Sequence, residues 1–212
     1  MNRLRIHSIL AAIVLAFASL ATAQSDDKKE TNALSSLPLR LIGPAYPSGR
    51  ISDFAFFPGG DHDYLVATAS GGLWRTTNAG VSWTPLFDKE GTYALGVVEI
   101  APSDEKVIWV GTGENNAQRS VAAGDGVYKS TDGGKTWKNM GLKDSGHISQ
   151  LWIHPDNPDT VLVAAQGPLW SEDGDRGLYK TTDGGESWDR ILEIDEHTGC
   201  LLYTSPSPRD RG

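Results

Sequence analysis

Three octets of nearly the same sequence recur along this chain, and they constrain its fold more than any other feature. They share the pattern Ser/Thr-x-Asp-x-Gly-x-x-Trp, and their tryptophans are 54 and 51 residues apart. A pattern that returns at an almost constant spacing indicates one supersecondary unit used repeatedly. The octets are residues 76–83 (TTNAGVSW), 130–137 (STDGGKTW) and 181–188 (TTDGGESW).

Each octet lies between two short apolar runs, which is the signal of a β-hairpin. An Asp at the start of the turn can accept nearby backbone N–H groups, a Gly supplies a positive φ, and the Trp is a large packing residue. We therefore interpret the octet residues as structural rather than as catalysts or metal ligands. They are Asn78, Gly80, Trp83, Asp132, Gly134, Trp137, Asp183, Gly185 and Trp188.

Two further apolar runs precede each hairpin. The first of them ends in Pro58, Pro102 or Pro155, and the second is continuously apolar, as in a strand buried on both faces. Four short antiparallel strands in about 50 residues describe a propeller blade. The chain is predicted to be an all-β, β-propeller fragment of three four-stranded blades, at 51–87, 94–140 and 147–192. A β-solenoid is the alternative, with shorter repeats and fewer hairpins.

The octets resemble Asp boxes, also called BNR repeats, which occur in sialidases, sortilin-type receptors and xyloglucanases. Further sequence segments resemble segments of secreted bacterial proteins of the sortilin-like or glycosyl-hydrolase-like type. They are residues 41–44, 48–51, 67–74, 110–114 and 124–130. The resemblance covers 37–199 and implies the propeller fold, whereas activity varies within such folds. The first octet departs from the pattern, because Asn78 replaces Asp.

The N-terminus has the pattern of a secretory signal. Residues 1–23 combine a basic end, an apolar stretch and the small residues Ala21-Thr22-Ala23 before a cleavage point. Residues 24–36 are polar and are expected to be a disordered leader. We expect a secreted or periplasmic protein; an uncleaved membrane anchor is the alternative.

Residues 200–212 fit no blade. The run from Cys200 to Asp210 is what a transposase-type sequencing adapter encodes, so we interpret 200–212 as adapter read-through; a native Pro/Ser-rich tail is the alternative. The natural protein is then expected to continue past Gly199. Closed propellers have four to eight blades, so three blades would leave a blade face exposed at the C-terminal end.

The net charge limits the possible partners of the chain, and the cysteine content limits its possible disulfides. The chain has 19 basic and 27 acidic residues; without Arg3, Arg5, Arg209, Asp210 and Arg211 it has 15 and 26, a net charge of −11. Nucleic acid and anionic membranes are poor partners for such a chain. The one Cys lies in the suspect tail, so we expect a fold without disulfides.

Two long loops are the candidate binding region. In an up-and-down blade the loop between the second and third strands lies on the face opposite the octet turn, and these loops are long at 113–125 and 166–176. Long loops on a rigid scaffold commonly carry binding sites. We expect them to bind a protein, peptide or glycan. The ligand-binding candidates are Arg50, Glu114, Asn115, Arg119, Asp125, Trp170 and Glu172.

Alternatives remain for several of these residues. Trp170 can stack on a sugar or pack against the neighbouring blade, and Arg50 and Arg119 can bind an anion or pair with an acid of another blade. A pair of loop carboxylates would support glycoside hydrolysis of the xyloglucanase type, so a polysaccharide hydrolase is the second hypothesis. A sialidase is disfavoured because Ser52 follows Arg50-Ile51 where sialidases have Pro. We expect no metal and no cofactor.

Overall fold

The chain folds into three four-stranded antiparallel β-sheets in a computed structural model that describes residues 49–115 and 121–199. In each sheet the strands follow one another in chain order. The prediction of an all-β propeller fragment is confirmed. The first sheet contains β1 (Ile51–Phe56), β2 (Tyr64–Thr68), β3 (Gly72–Thr76) and β4 (Thr84–Pro85); the second contains β5 (Leu95–Ile100), β6 (Ile108–Thr112), β7 (Val127–Ser130) and β8 (Lys138–Asn139); the third contains β9 (Ile148–His154), β10 (Asn157–Ala165), β11 (Gly177–Thr181) and β12 (Asp189–Leu192).

The second sheet is packed on both sides, and this explains its continuous apolar strands. Successive side chains of a strand point to opposite faces. On β5, Val98 and Ile100 belong to a core shared with the first sheet, whereas Val97 belongs to a core shared with the third. Every residue of β6 is buried. A sheet with a neighbour on each side therefore buries both of its faces.

The octets close the hairpins between the third and fourth strands through a repeated set of hydrogen bonds. In the third octet, Thr181 Oγ1 accepts from the Gly185 backbone N–H at 2.9 Å, and Asp183 Oδ1 accepts from the Ser187 N–H at 3.0 Å. The same bonds lie in the second octet, where Gly134 N–H donates to Ser130 Oγ. The glycine at this position has φ near +90° in all three octets, a conformation that favours Gly.

The octet tryptophans join each sheet to the preceding one. The indole N–H of Trp137 donates to the Leu86 carbonyl at 2.8 Å, and that of Trp188 donates to the Met140 carbonyl at 2.7 Å. Both acceptors lie just after the fourth strand of the preceding sheet. The second and third octets thus each contribute a turn within their own sheet and a hydrogen bond to the preceding sheet.

Some sequence predictions lie outside the described residues. They are the signal (1–23), the leader (24–36), the tail (200–212) and Arg119. Within 49–115 and 121–199, the structure has no helix long and apolar enough to cross a bilayer.

Glu99 on β5 gives a testable pH dependence. Burial, followed by the nearby charge of Asp53, raises the pKa of Glu99 from 4.5 to about 7. The folded chain therefore holds a proton that the unfolded chain releases, so stability falls as pH rises from 4.5 through about 7. We expect the wild type to lose about 1–2 kcal/mol of unfolding free energy between pH 5 and pH 8 through this group, after allowance for its partial solvent exposure.

Urea denaturation at the two pH values measures this effect. Glu99→Gln should reduce the stability difference between pH 5 and pH 8, while Glu196→Gln, a change to an exposed carboxylate, should leave it unaltered. A Glu99→Gln variant with the full wild-type pH dependence would contradict the assignment.

Candidate functional site

The long loops of the second and third sheets share one side of the molecule. In an antiparallel meander, successive turns alternate between the two ends of the sheet, so the loops between second and third strands lie opposite the octet turns. The connections that lead from one sheet to the next lie on the same side as these loops. This side, formed by residues 113–126, 140–147 and 166–176, is called the loop face below.

Arg176 holds the loop of the third sheet in one shape. Its side chain is buried, and its guanidinium donates to the Gln166 carbonyl at 2.7 Å and to the carbonyls of Pro168 and Ser171. A Cβ at Gly167 would collide with the Arg176 side chain, so this position requires glycine. Arg176 was not predicted as a site residue, because its acceptors are backbone carbonyls, which carry no sequence signature.

Two open clefts flank this loop. One, of about 750 Å³, is lined by residues 121 and 123, by the connection around 143–147 and by residues 168–174. The other, of about 540 Å³, lies between the 166–176 loop and residues 197 and 199. Trp170 lines both clefts and is 83% exposed. Within residues 49–115 and 121–199, Trp170 is therefore not packed against a neighbouring blade.

His147 is a buried polar group at the first cleft that the sequence did not single out. Its ring is almost fully buried, and its Nδ1 has no hydrogen-bond partner among the described residues. Burial lowers the pKa of His147, so the imidazole is neutral at pH 7. A neutral ring offers one donor and one acceptor to its surroundings.

Arg50 and Glu114 form an ion pair between the first and second sheets. The Arg50 guanidinium contacts the Glu114 carboxylate, whose side chain is only 6% exposed. Asn115, next to Glu114, donates to the Gly96 carbonyl at 3.1 Å and accepts a hydrogen bond from Gln166 at its own carbonyl. Among the alternatives for Arg50, the structure shows pairing with an acid of a neighbouring blade.

Asp125 lies at the end of the second sheet's loop, close to Glu90 in the preceding connection. The Tyr128 hydroxyl donates to Asp125 Oδ2 at 2.7 Å. Burial raises the pKa of Glu90, and the charge of Asp125 adds to this effect. Glu90 was not predicted as a candidate, because only the folded chain brings it near Asp125.

Two further acids of the loop face, Glu172 and Asp173, are exposed. Glu172 lies near His197 and Glu196, and these three place one possible ligand atom each within 4.8 Å of one another. Asp173 accepts from the Ser171 hydroxyl at 2.5 Å, and this hydrogen bond lowers the pKa of Asp173. Exposed acids of this kind are ordinary surface groups, so the cluster by itself does not define a metal site.

A family model and several curated proteins match this chain. The model for sortilin, neurotensin receptor 3 (the Sortilin-Vps10 family) matches residues 63–210. A xyloglucanase of Acetivibrio thermocellus is 26% identical over 211 aligned positions, which cover 89% of this chain and 23% of that protein. A VPS10 domain-containing receptor of Homo sapiens is 27% identical over 134 positions, covering 62% of this chain and 10% of that protein.

Solved structures support the fold. An ancestral GH74 enzyme superposes with a TM-score of 0.54 at 24% identity, covering 69% of this chain and 19% of that one. YCF48 bound to the D1 peptide superposes with a TM-score of 0.50 at 16% identity, covering 76% of this chain and 46% of that one. At these identities the likeness establishes the architecture alone. The chain spans at most 23% of the length of the curated relatives it matches.

Proposed function

Because the chain belongs to the Sortilin-Vps10 family, we propose that it is part of an exported β-propeller scaffold whose loop face binds a protein, peptide or glycan. The observation that carries the proposal is the exposed Trp170 between two clefts, on a loop anchored by Arg176. Export rests on the signal-like pattern of residues 1–23.

Anchoring of the loop favours binding because it lowers the entropy lost when a ligand docks. Three guanidinium hydrogen bonds to the loop's own carbonyls fix the backbone on which Trp170 is mounted. A Trp ring offers a large apolar surface with few rotatable bonds and a polar N–H at its edge. Such a ring suits a sugar ring or a peptide side chain as a stacking partner.

The polar groups around Trp170 favour a polar ligand. Lys143, Asp144, Ser171 and Asp173 line the larger cleft, together with the apolar Pro168 and Leu169. Because charged side chains of both signs lie beside apolar ones, the cleft can form hydrogen bonds or ion pairs with hydroxyl, amide or zwitterionic groups of a ligand.

Replacement of Trp170 tests the proposal. We expect Trp170→Ala to weaken binding to the loop face at least tenfold, because it removes the exposed ring, and to leave the thermal midpoint of unfolding nearly unchanged. The probes are xyloglucan oligosaccharides and a displayed random-peptide library, with affinities of any selected binder measured by calorimetry. Trp152→Ala is the control, since Trp152 is exposed on a sheet face away from the loops. Equal affinity of the Trp170→Ala variant and the wild type would refute this site.

Polysaccharide hydrolysis is a second candidate function, favoured by the Glu90–Asp125 pair. Glycoside hydrolysis uses one carboxyl group that is protonated near neutral pH and a second that is ionised. Burial and the nearby charge of Asp125 raise the pKa of Glu90, which is the direction of shift that an acid catalyst needs. Release of reducing ends from xyloglucan that Glu90→Gln abolishes would support hydrolysis; no release by the wild-type chain would leave binding as the function.

A further inference from the structure

One exposed aromatic ring separates the two clefts of the loop face. Trp170 lines both the larger cleft, of about 750 Å³, and the smaller cleft, of about 540 Å³. Each cleft has the volume of a pocket for a drug-sized ligand, about 300–1,000 Å³, so a single sugar ring or amino-acid side chain fills only part of either. A ligand that covers Trp170 therefore has room to extend on both sides of it.

Close contacts between two segments hold the backbone around the larger cleft. A Cβ at Gly174 would collide with the Asp144 carbonyl oxygen, and the Asp175 N–H donates to the same carbonyl at 3.1 Å. The connection 143–147 thus packs directly against the loop 166–176. Because this contact forms the cleft before a ligand arrives, less conformational entropy is lost on binding.

His147 brings a polar ring to the larger cleft. It lines this cleft and is only 3% exposed, and its Nδ1 has no hydrogen-bond partner among the described residues. A buried polar group without a partner costs free energy. A ligand hydroxyl can bond to a neutral imidazole whichever nitrogen carries the proton, because a hydroxyl both donates and accepts.

The lining of the two clefts favours a sugar chain over a peptide. Every described residue that lines them lies outside the strands, so the described part of the clefts offers no strand edge to the backbone of an extended peptide. The exposed carboxylates of Glu172 and Asp173 would repel an anionic ligand. Sugar hydroxyls can bond to carboxylates and to an imidazole alike, and a sugar ring presents an apolar face to an exposed indole.

We infer that the loop face binds a neutral oligosaccharide that crosses Trp170, with one sugar ring stacked on the indole and further units in the clefts on either side. A sugar hydroxyl bonds to His147 in the larger cleft, and another donates to Glu172 in the smaller one. The inference rests on the binding function proposed above and adds to it the class of the ligand and its extent along the loop face.

Oligosaccharides of different length test this arrangement. The probes are cello-, manno- and xylo-oligosaccharides of two and of six units, titrated calorimetrically into the full chain. In at least one series the six-unit ligand should bind at least tenfold more tightly than the two-unit ligand, because only the longer chain reaches both clefts at once.

Variants on the two sides of Trp170 test the contribution of each cleft. His147→Phe in the larger cleft and Glu172→Ala in the smaller one should each weaken binding of the six-unit ligand several-fold, because each removes a hydrogen-bonding group. Glu105→Ala is the matched control, since Glu105 is an exposed carboxylate on the turn between β5 and β6. If circular dichroism shows that His147→Phe does not fold, the exposed position of Glu172 still provides the test.

The possible outcomes separate this inference from the proposed function. Equal affinity for both lengths in every series would overturn the inference, and so would cleft variants that bind as tightly as Glu105→Ala. A library peptide that binds through Trp170, with no oligosaccharide bound, would overturn it while leaving the binding function in place. If neither class of ligand binds through Trp170, the proposed function fails as well.

Discussion

Replacement of Trp109 by Ala is expected to lower the free energy of unfolding by about 3–5 kcal/mol, as large-to-small changes at fully buried aromatic residues do. Trp109 is completely buried in the core shared by the second and third sheets. Its ring meets Trp188 edge to face at a centroid distance of 6.2 Å, and the Lys129 ammonium lies 5.0 Å from its centroid. Chemical denaturation followed by circular dichroism measures the loss.

The same substitution at Trp170 is the matched control for Trp109→Ala. Because Trp170 is highly exposed, Trp170→Ala should change stability by no more than about 0.5 kcal/mol. Trp109→Phe should cost less than Trp109→Ala, since it keeps a ring in the core. Equal losses for the two Trp→Ala variants would contradict the burial of Trp109 between sheets.

The fold was predictable because its signals are local. A turn needs its Gly and its short polar side chain within a few residues, so the octets fix each hairpin independently of the rest of the chain. The continuous apolar run at 107–111 likewise indicated a strand with both faces covered, and β6 is buried throughout. The hydrogen bond from the Trp188 indole to the Met140 carbonyl could not be predicted, because no sequence pattern indicates which backbone carbonyl lies opposite an indole N–H.

The candidate site was predictable in position but not in detail. Alternation of turns along a meander placed the 113–125 and 166–176 loops on one side without any knowledge of their side chains. Whether a loop residue is exposed depends on partners that are distant in sequence. Trp170 is exposed to solvent, whereas Glu114 is buried against Arg50, which lies 64 residues earlier. Glu90 was not predicted for the same reason, whereas Arg176 was not predicted because its acceptors are backbone carbonyls of its own loop.

The Arg50–Glu114 ion pair carries the second large expected effect. Arg50→Ala should lower the free energy of unfolding by about 2–4 kcal/mol, because it leaves the nearly buried Glu114 carboxylate without its cation. Because Arg50 is partly exposed, we expect a loss of unfolding free energy smaller than the largest losses seen when fully buried ion pairs are broken. Thermal and urea unfolding of the variant measure it.

A double-mutant cycle separates the loss of this charge pair from the loss of Arg50 packing. Glu114→Gln removes the buried charge, so the Arg50→Ala/Glu114→Gln double variant should be more stable than Arg50→Ala alone. Lys138→Ala is the matched control, because its ion pair with Glu186 also joins two sheets at 2.9 Å but is exposed on both sides; its loss should stay below about 1 kcal/mol. If Arg50→Ala lost as little stability as Lys138→Ala, the Glu114 carboxylate would have to be solvated. The loop that carries Glu114 would then be free to bind a ligand cation instead of holding the first sheet to the second.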